Sequence, residues 1–258
     1  TAYNVAFQAH KEQLRKDGSQ YITHPVAVAS ILIELNLDIE TVCAGLMHDV
    51  LEDSFIQKKY LEKLFGKDIV AIVDGVSNLN KLDFESIEDR NANNLQKMAL
   101  AMSKDIRVII VKLCDRLHNM RTIEFLPREK QINKSLETLD LYGPIAIRIG
   151  MQNIRVELED LAFQCLHPMR ARMLTSAIKQ AVGGRQKIIS KLRKQFKYYL
   201  KNNEIPAIVQ GRQKSLYSIY KKIKDKKKPF SQILDVYAFR VIVDSVDDAY
   251  RALGVIHN

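Results

Sequence analysis

The spacing of apolar residues predicts a series of helices along the first two-thirds of the chain. Residues 37–53 are the organising example, since their apolar positions recur every three or four residues and would face a core. Asp38 or Thr41 is suited to cap the start of this helix. The same spacing predicts helices over further segments: 3–14, 25–35, 55–80, 94–103, 105–124 and two more within 128–165.

Two segments of this front part need a separate interpretation. Val108–Val111 is rich in β-branched residues and, taken alone, is typical of a strand. No turn residue separates it from the helical spacing of Lys112–Met120, so we predict one helix throughout. Residues 83–92 are polar and predict a loop. The fold class is therefore mainly α.

The back part of the chain has a different pattern. Residues 211–222 predict a loop that opens a helix, and the Val- and Ile-rich residues 233–243 predict a buried strand. We expect three parts: an all-helical domain over residues 1–155, a helical linker over 156–195, and the start of an α+β domain over 196–258.

Charge also separates the two ends of the chain. The net charge is +10, but residues 185–228 alone carry fifteen Lys or Arg against two acids. Such a segment is either a solvated surface or a patch for anionic partners such as nucleic acid. Few aromatic residues interleave with the cations, so we expect no nucleic-acid partner.

Composition places the chain among ordinary globular proteins, with 47% hydrophobic and 27% charged residues. No apolar run reaches the ~20 residues that a membrane helix needs, and no signal peptide opens the sequence, so no membrane partner is expected. Cys43, Cys114 and Cys165 lie in apolar segments without metal-ligand spacing. They are expected to be buried thiols of a cytoplasmic protein.

The first candidate chemistry lies on the helix predicted over residues 37–53. His48 and Asp49 are adjacent, and Glu52 and Asp53 follow one turn later, so an imidazole and three carboxylates share one patch. Taken alone, such a patch is more often a solvated helix face than a site.

Asp115 favours a functional site over a solvated helix face. It stands between Cys114 and Leu117 in an apolar segment, four residues before Asn119, and a buried carboxylate needs a cation. Three separate helices can then supply two nitrogen and two oxygen ligands: His24, His48, Asp49 and Asp115. This mixture suits manganese, iron or zinc better than calcium. Glu52 and Asp53 remain beside the ligands to orient or deprotonate a water.

Three stretches of the front part belong together: Tyr21–Pro25, His48–Asp53 and Lys112–Thr122. They resemble the HD-type hydrolase domain of the RelA/SpoT family, whose members make and break the alarmones guanosine tetra- and pentaphosphate. Gly211–Lys222 and Asp235–Val243 resemble the opening motifs of the family's synthetase domain. The retained His-Asp pair is closest to the bifunctional or hydrolase-dominant SpoT branch.

The resemblance implies a role for each matching residue. It assigns the metal, usually Mn²⁺, to His24, His48, Asp49 and Asp115. It assigns Glu52 and Asp53 to activation of the attacking water, Arg15 and Lys16 to the guanine and phosphates, and Asn119 and Thr122 to the nucleotide. Asp17 and Ile147 stand where relatives often carry Ser and His or Asn.

For the back part, the resemblance implies an incomplete synthetase. Arg212 is suited to stack on adenine, and Lys214, Ser218 and Lys222 to take ATP phosphates. Asp235 resembles the family's residue for Mg²⁺. The family's catalytic Glu and GDP-stacking Tyr lie beyond residue 258, so we expect no synthesis. Regulatory partners would act through further C-terminal regions.

Two functions remain open at this point. The first is a metal-dependent pyrophosphohydrolase that removes the 3′ diphosphate of the alarmone and returns GDP or GTP. The second is a binding or regulatory module, either a catalytically silent alarmone-binding domain or a basic domain associated with nucleic acid. The retained ligand set favours the enzyme, and metal analysis with a hydrolysis assay separates the two.

Overall fold

The chain folds into two units, Thr1–Leu166 and His167–Asn258, in the computed structural model. The structure describes residues 1–80, 104–183, 186–226 and 237–257. Both units are built mainly from helices, as the sequence predicts. The three-part division at residues 155 and 195 stays a prediction.

Helices are the main elements of the described part of the first unit. They are α1 (Ala2–Ala9), α2 (Thr23–Glu34), α3 (Ile39–Met47), α4 (Val50–Asp53), α5 (Lys58–Phe65), α6 (Lys67–Asn80), α7 (Ile106–Arg121), α8 (Arg128–Glu137), α9 (Gly143–Arg148) and α10 (Gln152–Leu166). A 3₁₀ turn (Ile123–Phe125) follows α7, and a π-helical turn (Thr138–Tyr142) joins α8 to α9.

One apolar core joins these helices. Helix α3 packs against α2, α6 and α7, and α7 also packs against α2 and α10. Leu32, Met47, Ile109 and Leu117 are fully buried at these contacts. The core therefore fixes the relative positions of α2, α3 and α7, which carry the candidate ligands.

Helix α7 confirms that the β-branched run Val108–Val111 is helical. Its N-cap is Asp105, whose side chain accepts a hydrogen bond from the backbone N–H of Arg107 at 2.9 Å. Val108, Ile109 and Val111 are buried. Tertiary packing here outweighs the strand preference of β-branched side chains.

The prediction of one continuous helix over residues 37–53 is wrong. Asp38 caps its start as expected, accepting from Thr41 N at 2.6 Å, but the helix ends at Met47 and a four-residue helix begins at Val50. Asp49 leaves ideal helical geometry with φ −98° and ψ −6°. The break between the two helices therefore falls at the His48-Asp49 pair.

Other boundaries also differ from the sequence pattern. Helix α1 ends at Ala9 rather than residue 14, because residues 14 and 20 pair across a turn in which Gly18 takes φ 84°. Gly66, with φ 83°, divides the helix predicted over 55–80 into α5 and α6. The predicted loop over 83–92 and helix over 94–103 lie outside the described residues.

The second unit combines helices with a two-stranded antiparallel sheet. Its elements are α11 (Pro168–Gly183), α12 (Gln186–Asn202), β1 (Ala207–Gln213), α13 (Leu216–Lys226), β2 (Tyr237–Val243) and α14 (Val246–His257). Ala207 pairs with Val243, and Gln213 pairs with Tyr237.

The expectation of a buried strand over residues 233–243 needs correction at residues 237–243, and residues 233–236 lie outside the described residues. In β2, half-buried and exposed positions alternate, and Ile242 is 41% exposed. A two-stranded sheet covered by helices on one face produces this alternation. The loop predicted from Gly211 also begins later, since Gly211–Gln213 still belongs to β1.

Two composition-based expectations can be compared with the structure. Across the described ranges, no helix is both long and apolar enough to cross a membrane. All three cysteines are unpaired, but only Cys114 is fully buried, whereas Cys43 and Cys165 are half-buried. Burial, followed by the nearby Asp115, raises the pKa of Cys114 to about 12, so this thiol stays protonated.

Replacement of Gly45 by Ala should destabilise the first unit. A Cβ at this position would clash with Cδ1 of Leu32, which is fully buried. Overpacking of this kind costs about 1–3 kcal/mol of unfolding free energy. Urea denaturation of Gly45→Ala measures the loss. Gly254→Ala is the matched control, since its Cβ meets nothing within 4 Å. Equal stability of Gly45→Ala and the wild type would contradict this packing.

Candidate functional site

Two imidazoles and two carboxylates converge at the junction of α2, α3 and α7. His24 Nε2 lies 3.2 Å from Asp115 Oδ1 and 3.7 Å from Asp49 Oδ2. His48 Nε2 lies 3.0 Å from Asp49 Oδ2 and 3.9 Å from Asp115 Oδ1. All four residues are buried, and His24, His48 and Asp49 can supply three ligand atoms within 4.8 Å of one another.

His48 and Asp49 lie at the break between α3 and α4. His48 keeps helical dihedrals, and Asp49 has φ −98° and ψ −6°. The carbonyl of Asp49 still accepts from the N–H groups of Glu52 and Asp53 and so starts α4.

The hydrogen bonding of His48 indicates that a cation belongs in the cluster. Its Nδ1 lies 2.8 Å from the carbonyl of Gly45, which only accepts, so Nδ1 carries the hydrogen. Nε2 is buried and makes no hydrogen bond. In the neutral ring, Nε2 directs its lone pair towards the carboxylates of Asp49 and Asp115. Because a lone pair and two negative groups repel one another, a positive charge is needed between the imidazole and the carboxylates.

The local electrostatics lead to the same conclusion. Burial alone would lower the pKa of His48, but Asp49 and Asp115 raise it to about 9. The cluster thus favours a positive charge at this point, as a proton or as a metal ion. With two nitrogen and two oxygen donors, the residues present fit a divalent cation.

His24 is oriented by a second histidine. Its Nδ1 lies 2.8 Å from Nδ1 of His118, which leaves Nε2 to face the two carboxylates. Burial, followed by repulsion from His24 and Arg15, lowers the pKa of His118 to about 4. A neutral His118 can accept the hydrogen of His24 Nδ1, which is the orientation that a metal-ligating histidine requires.

Lys112 and Asn119 hold Asp115 from the same helix. The Lys112 ammonium donates to Oδ2 at 2.6 Å, and the Asn119 amide donates to Oδ1 at 2.5 Å. Burial alone would raise the pKa of Asp115, but Lys112 and the imidazoles hold it well below its usual range. Asp115 is therefore a carboxylate, as the sequence argument required.

Glu52 and Asp53 lie at the edge of the cluster on α4, and both are exposed. Partial burial, followed by repulsion from Asp49, raises the pKa of Asp53. Tyr21 donates to Asp49 Oδ2 at 2.8 Å, and burial with the Asp49 charge raises the pKa of Tyr21, so it stays a donor.

A cavity of about 250 Å³ adjoins the cluster. The residues expected to bind substrate all line it: Arg15, Lys16, Asn119 and Thr122. Arg15 Nη2 donates to Thr122 Oγ1 at 3.0 Å and closes one side. Tyr21 and Asn119 line the cavity and also bond Asp49 and Asp115, so they connect it to the cluster.

The two departures from the family pattern have different positions. Asp17 lines the cavity, but its carboxylate accepts from the N–H and hydroxyl of Ser19 and so belongs to its own turn. Ile147, on α9, is 54% exposed and is not among the cavity-lining residues.

The sequence argument did not identify four residues that the structure places at the site: Tyr21, Lys112, His118 and Lys134. The first three lie within the motifs that carry the resemblance, so their position in those motifs was an available signal. Lys134 lines the cavity from α8, and nothing in its sequence context distinguishes it from a surface lysine.

The residues expected to bind ATP lie in the second unit. Arg212 is exposed on β1, and Lys214 follows that strand. Ser218 and Lys222 are half-buried, one turn apart on α13. Ser215 Oγ lies 2.7 Å from Ser218 Oγ. Asp235 lies outside the described residues.

Comparison with known families assigns both parts of the chain. Residues 2–152 match the model of the HD domain, which covers more than half of the chain. Residues 211–258 match the region found in RelA / SpoT proteins.

Curated relatives match along nearly the whole chain. A guanosine-3′,5′-bis(diphosphate) 3′-pyrophosphohydrolase of Haemophilus influenzae is 48% identical over 98% of this chain and 38% of its own length. The bifunctional (p)ppGpp synthase/hydrolase SpoT of Escherichia coli is 47% identical over 100% and 37%. The GTP pyrophosphokinase rsh of Brucella melitensis is 41% identical over 99% and 34%. The chain thus spans little more than a third of these relatives. It belongs to the HD-domain family and carries the region found in RelA and SpoT proteins.

Proposed function

We propose that the first unit is a metal-dependent pyrophosphohydrolase that removes the 3′ diphosphate from guanosine 3′,5′-bis(diphosphate). The convergence of His24, His48, Asp49 and Asp115 beside a cationic cavity is the observation that carries this proposal. The names of the relatives in Haemophilus influenzae and Escherichia coli support the choice of substrate. The pentaphosphate, which differs only at its 5′ end, would be a second substrate.

The four ligands would hold one divalent ion, for which Mn²⁺ is the family's usual choice. When bound, such an ion supplies Lewis-acid polarisation of the phosphate and lowers the pKa of a water. Lys112, Tyr21 and the carbonyl of Gly45 fix the ligands that receive it. Pre-set ligand orientation of this kind raises metal affinity.

Hydrolysis then requires proton transfer at two points. A water oxygen forms a bond to the phosphorus attached to the ribose 3′ oxygen, and the bond from that phosphorus to the 3′ oxygen breaks. The water loses a proton and the 3′ oxygen gains one, giving GDP and diphosphate. Glu52 and Asp53, which lie on α4 directly after Asp49, would take and return this proton.

The residues that line the cavity indicate how the nucleotide would be oriented in it. Asn119 and Tyr21 mark the end of the cavity next to the ligands, where the 3′ diphosphate would lie. Arg15 is held by Thr122, so its guanidinium plane is fixed and can stack on the guanine base. Lys16 would meet a phosphate as a compact point charge. A cytoplasmic location, which the unpaired cysteines favour, belongs to the same proposal.

Replacement of His48 or Asp49 by Ala should abolish hydrolysis and lower bound metal, because each removes a ligand and leaves the remaining charges unbalanced. Metal content by mass spectrometry, with release of GDP followed by chromatography, measures both effects. His257→Ala is the control, since this histidine is exposed on α14. Full activity with wild-type metal content in either ligand variant would refute the site.

Replacement of Glu52 by Gln should separate proton transfer from metal binding. The amide keeps the shape of the side chain but is a far weaker base. Metal should stay bound while kcat falls by about 10²–10⁴, the usual effect of losing an acid–base group. If Glu52→Gln loses its metal instead, Glu52 is a ligand and the division of roles is wrong.

The 258-residue chain should make no alarmone from ATP and GDP. Arg212, Lys214 and Ser218 can contact phosphates, but transfer needs a carboxylate to activate the acceptor 3′ hydroxyl. ATP binding should be weak and salt-sensitive. Incubation with ATP, GDP and Mg²⁺, followed by separation of the nucleotides, tests this expectation. Tetraphosphate above the no-enzyme control would refute it.

A further inference from the structure

Lys134 is a cavity-lining cation that the preceding argument does not use. It lies on α8, is half-buried, and lines the same cavity as Arg15 and Lys16. Within the described ranges, its ammonium makes no hydrogen bond or ion pair. A half-buried ammonium facing a cavity without a carboxylate partner is poised for an anionic ligand.

The charges around Lys134 do not balance. Its electrostatic neighbours are Arg116, Glu137, Asp115 and Lys112. Arg116 pairs with Glu137 at 2.8 Å, and Lys112 pairs with Asp115 at 2.6 Å. Both carboxylates are therefore committed to other cations, and Lys134 is the third cation of the group. Burial, followed by repulsion from Arg116, lowers its pKa.

The position of Lys134 is fixed by its helix. One turn earlier on α8, Gln131 donates to the carbonyl of Leu126 at 2.8 Å, and Leu126 also lines the cavity. The carbonyl of Lys134 accepts from Thr138 Oγ1 at 2.6 Å, at the start of the π-helical turn. These contacts hold the base of the side chain against the cavity wall.

We infer that Lys134 is a substrate-binding residue that recognises the 5′ diphosphate of the nucleotide, an inference that rests on the proposed function. The 3′ diphosphate is committed to the metal ligands, and Arg15 is suited to the base. The remaining anion of the substrate is the 5′ diphosphate. A lysine ammonium meets such a group as a point charge and does not stack on a base. The anion supplies the counter-charge that the protein lacks around Lys134.

The kinetic test compares two substrates with wild type and Lys134→Met, which keeps the length of the side chain and removes its charge. With guanosine 3′,5′-bis(diphosphate), KM should rise about tenfold while kcat stays within about twofold. The reason is that the lost contact binds the substrate and the transition state equally. With guanosine 5′-monophosphate 3′-diphosphate, KM should change less than about threefold. Lys130→Met is the matched control, an exposed lysine on the same helix. An equal rise of KM for both substrates, or no rise, would overturn the inference.

A binding test separates this inference from the proposed function, because it needs neither metal nor hydrolysis. GDP and GMP are titrated calorimetrically into the full chain with Arg212 and Lys214 replaced by Ala, which removes two candidate phosphate contacts of the second unit. Lys134→Met should raise the dissociation constant of GDP about tenfold and leave that of GMP nearly unchanged.

Each outcome of the binding test has a defined meaning. If Lys134→Met loses the preference for GDP over GMP but the wild-type chain hydrolyses no alarmone, the 5′ site is supported and the pyrophosphohydrolase is refuted. If Lys134→Met weakens the binding of GDP and GMP equally and the wild-type chain hydrolyses the alarmone, the 5′ site is refuted and the pyrophosphohydrolase is supported. Thermal unfolding of Lys134→Met and Lys130→Met at the same temperature shows that neither effect comes from misfolding.

Discussion

Two buried carboxylates impose one constraint on the first unit, because their charge must be neutralised. Asp49 and Asp115 are buried beside the apolar core, where an unpaired charge is costly. Lys112 compensates part of this charge from within α7. The remainder requires a cation held between His24 and His48, so the chemistry of the site and the stability of the core have the same requirement.

This requirement explains why small details of helix packing matter. Gly45 has two roles: its missing Cβ lets α3 approach Leu32 of α2, and its carbonyl orients His48. The close approach of α2 and α3 is what brings His24 and His48 together. A change that alters packing at this contact therefore also alters the distance between two ligands. Structural and functional constraints act on the same residue.

Local signals in the sequence singled out three of the four candidate ligands, and His24 joined the set only beside them. Asp115 stands out as a carboxylate in an apolar helix, and His48 with Asp49 as a polar pair in an apolar stripe. The break at His48-Asp49 was not predictable, because His48 keeps helical dihedrals and Asp49 departs from them only moderately. The apolar spacing continues across the break and gives no sign of it.

Residues that act through long-range contacts were the hardest to predict. The contact between Arg15 and Thr122 joins positions 107 residues apart, and only the resemblance indicated that both serve one site. Lys134 had neither a motif nor a pattern, since its role depends on carboxylates that are paired elsewhere. The exposed face of β2 was not predicted, because a strand rich in Val and Ile is equally typical of a sheet that is buried on both faces.

The separate helix α4 gives the site two levels of local stability. The four candidate ligands lie on or beside α2, α3 and α7, which pack in the core, whereas Glu52 and Asp53 lie on one exposed turn of four residues. A helix this short has little stability of its own, so amide hydrogens of α4 should exchange with solvent much faster than those of α7. Under the proposed function, opening of that single turn would move Glu52 and Asp53 away from the four candidate ligands while α2, α3 and α7 stay folded.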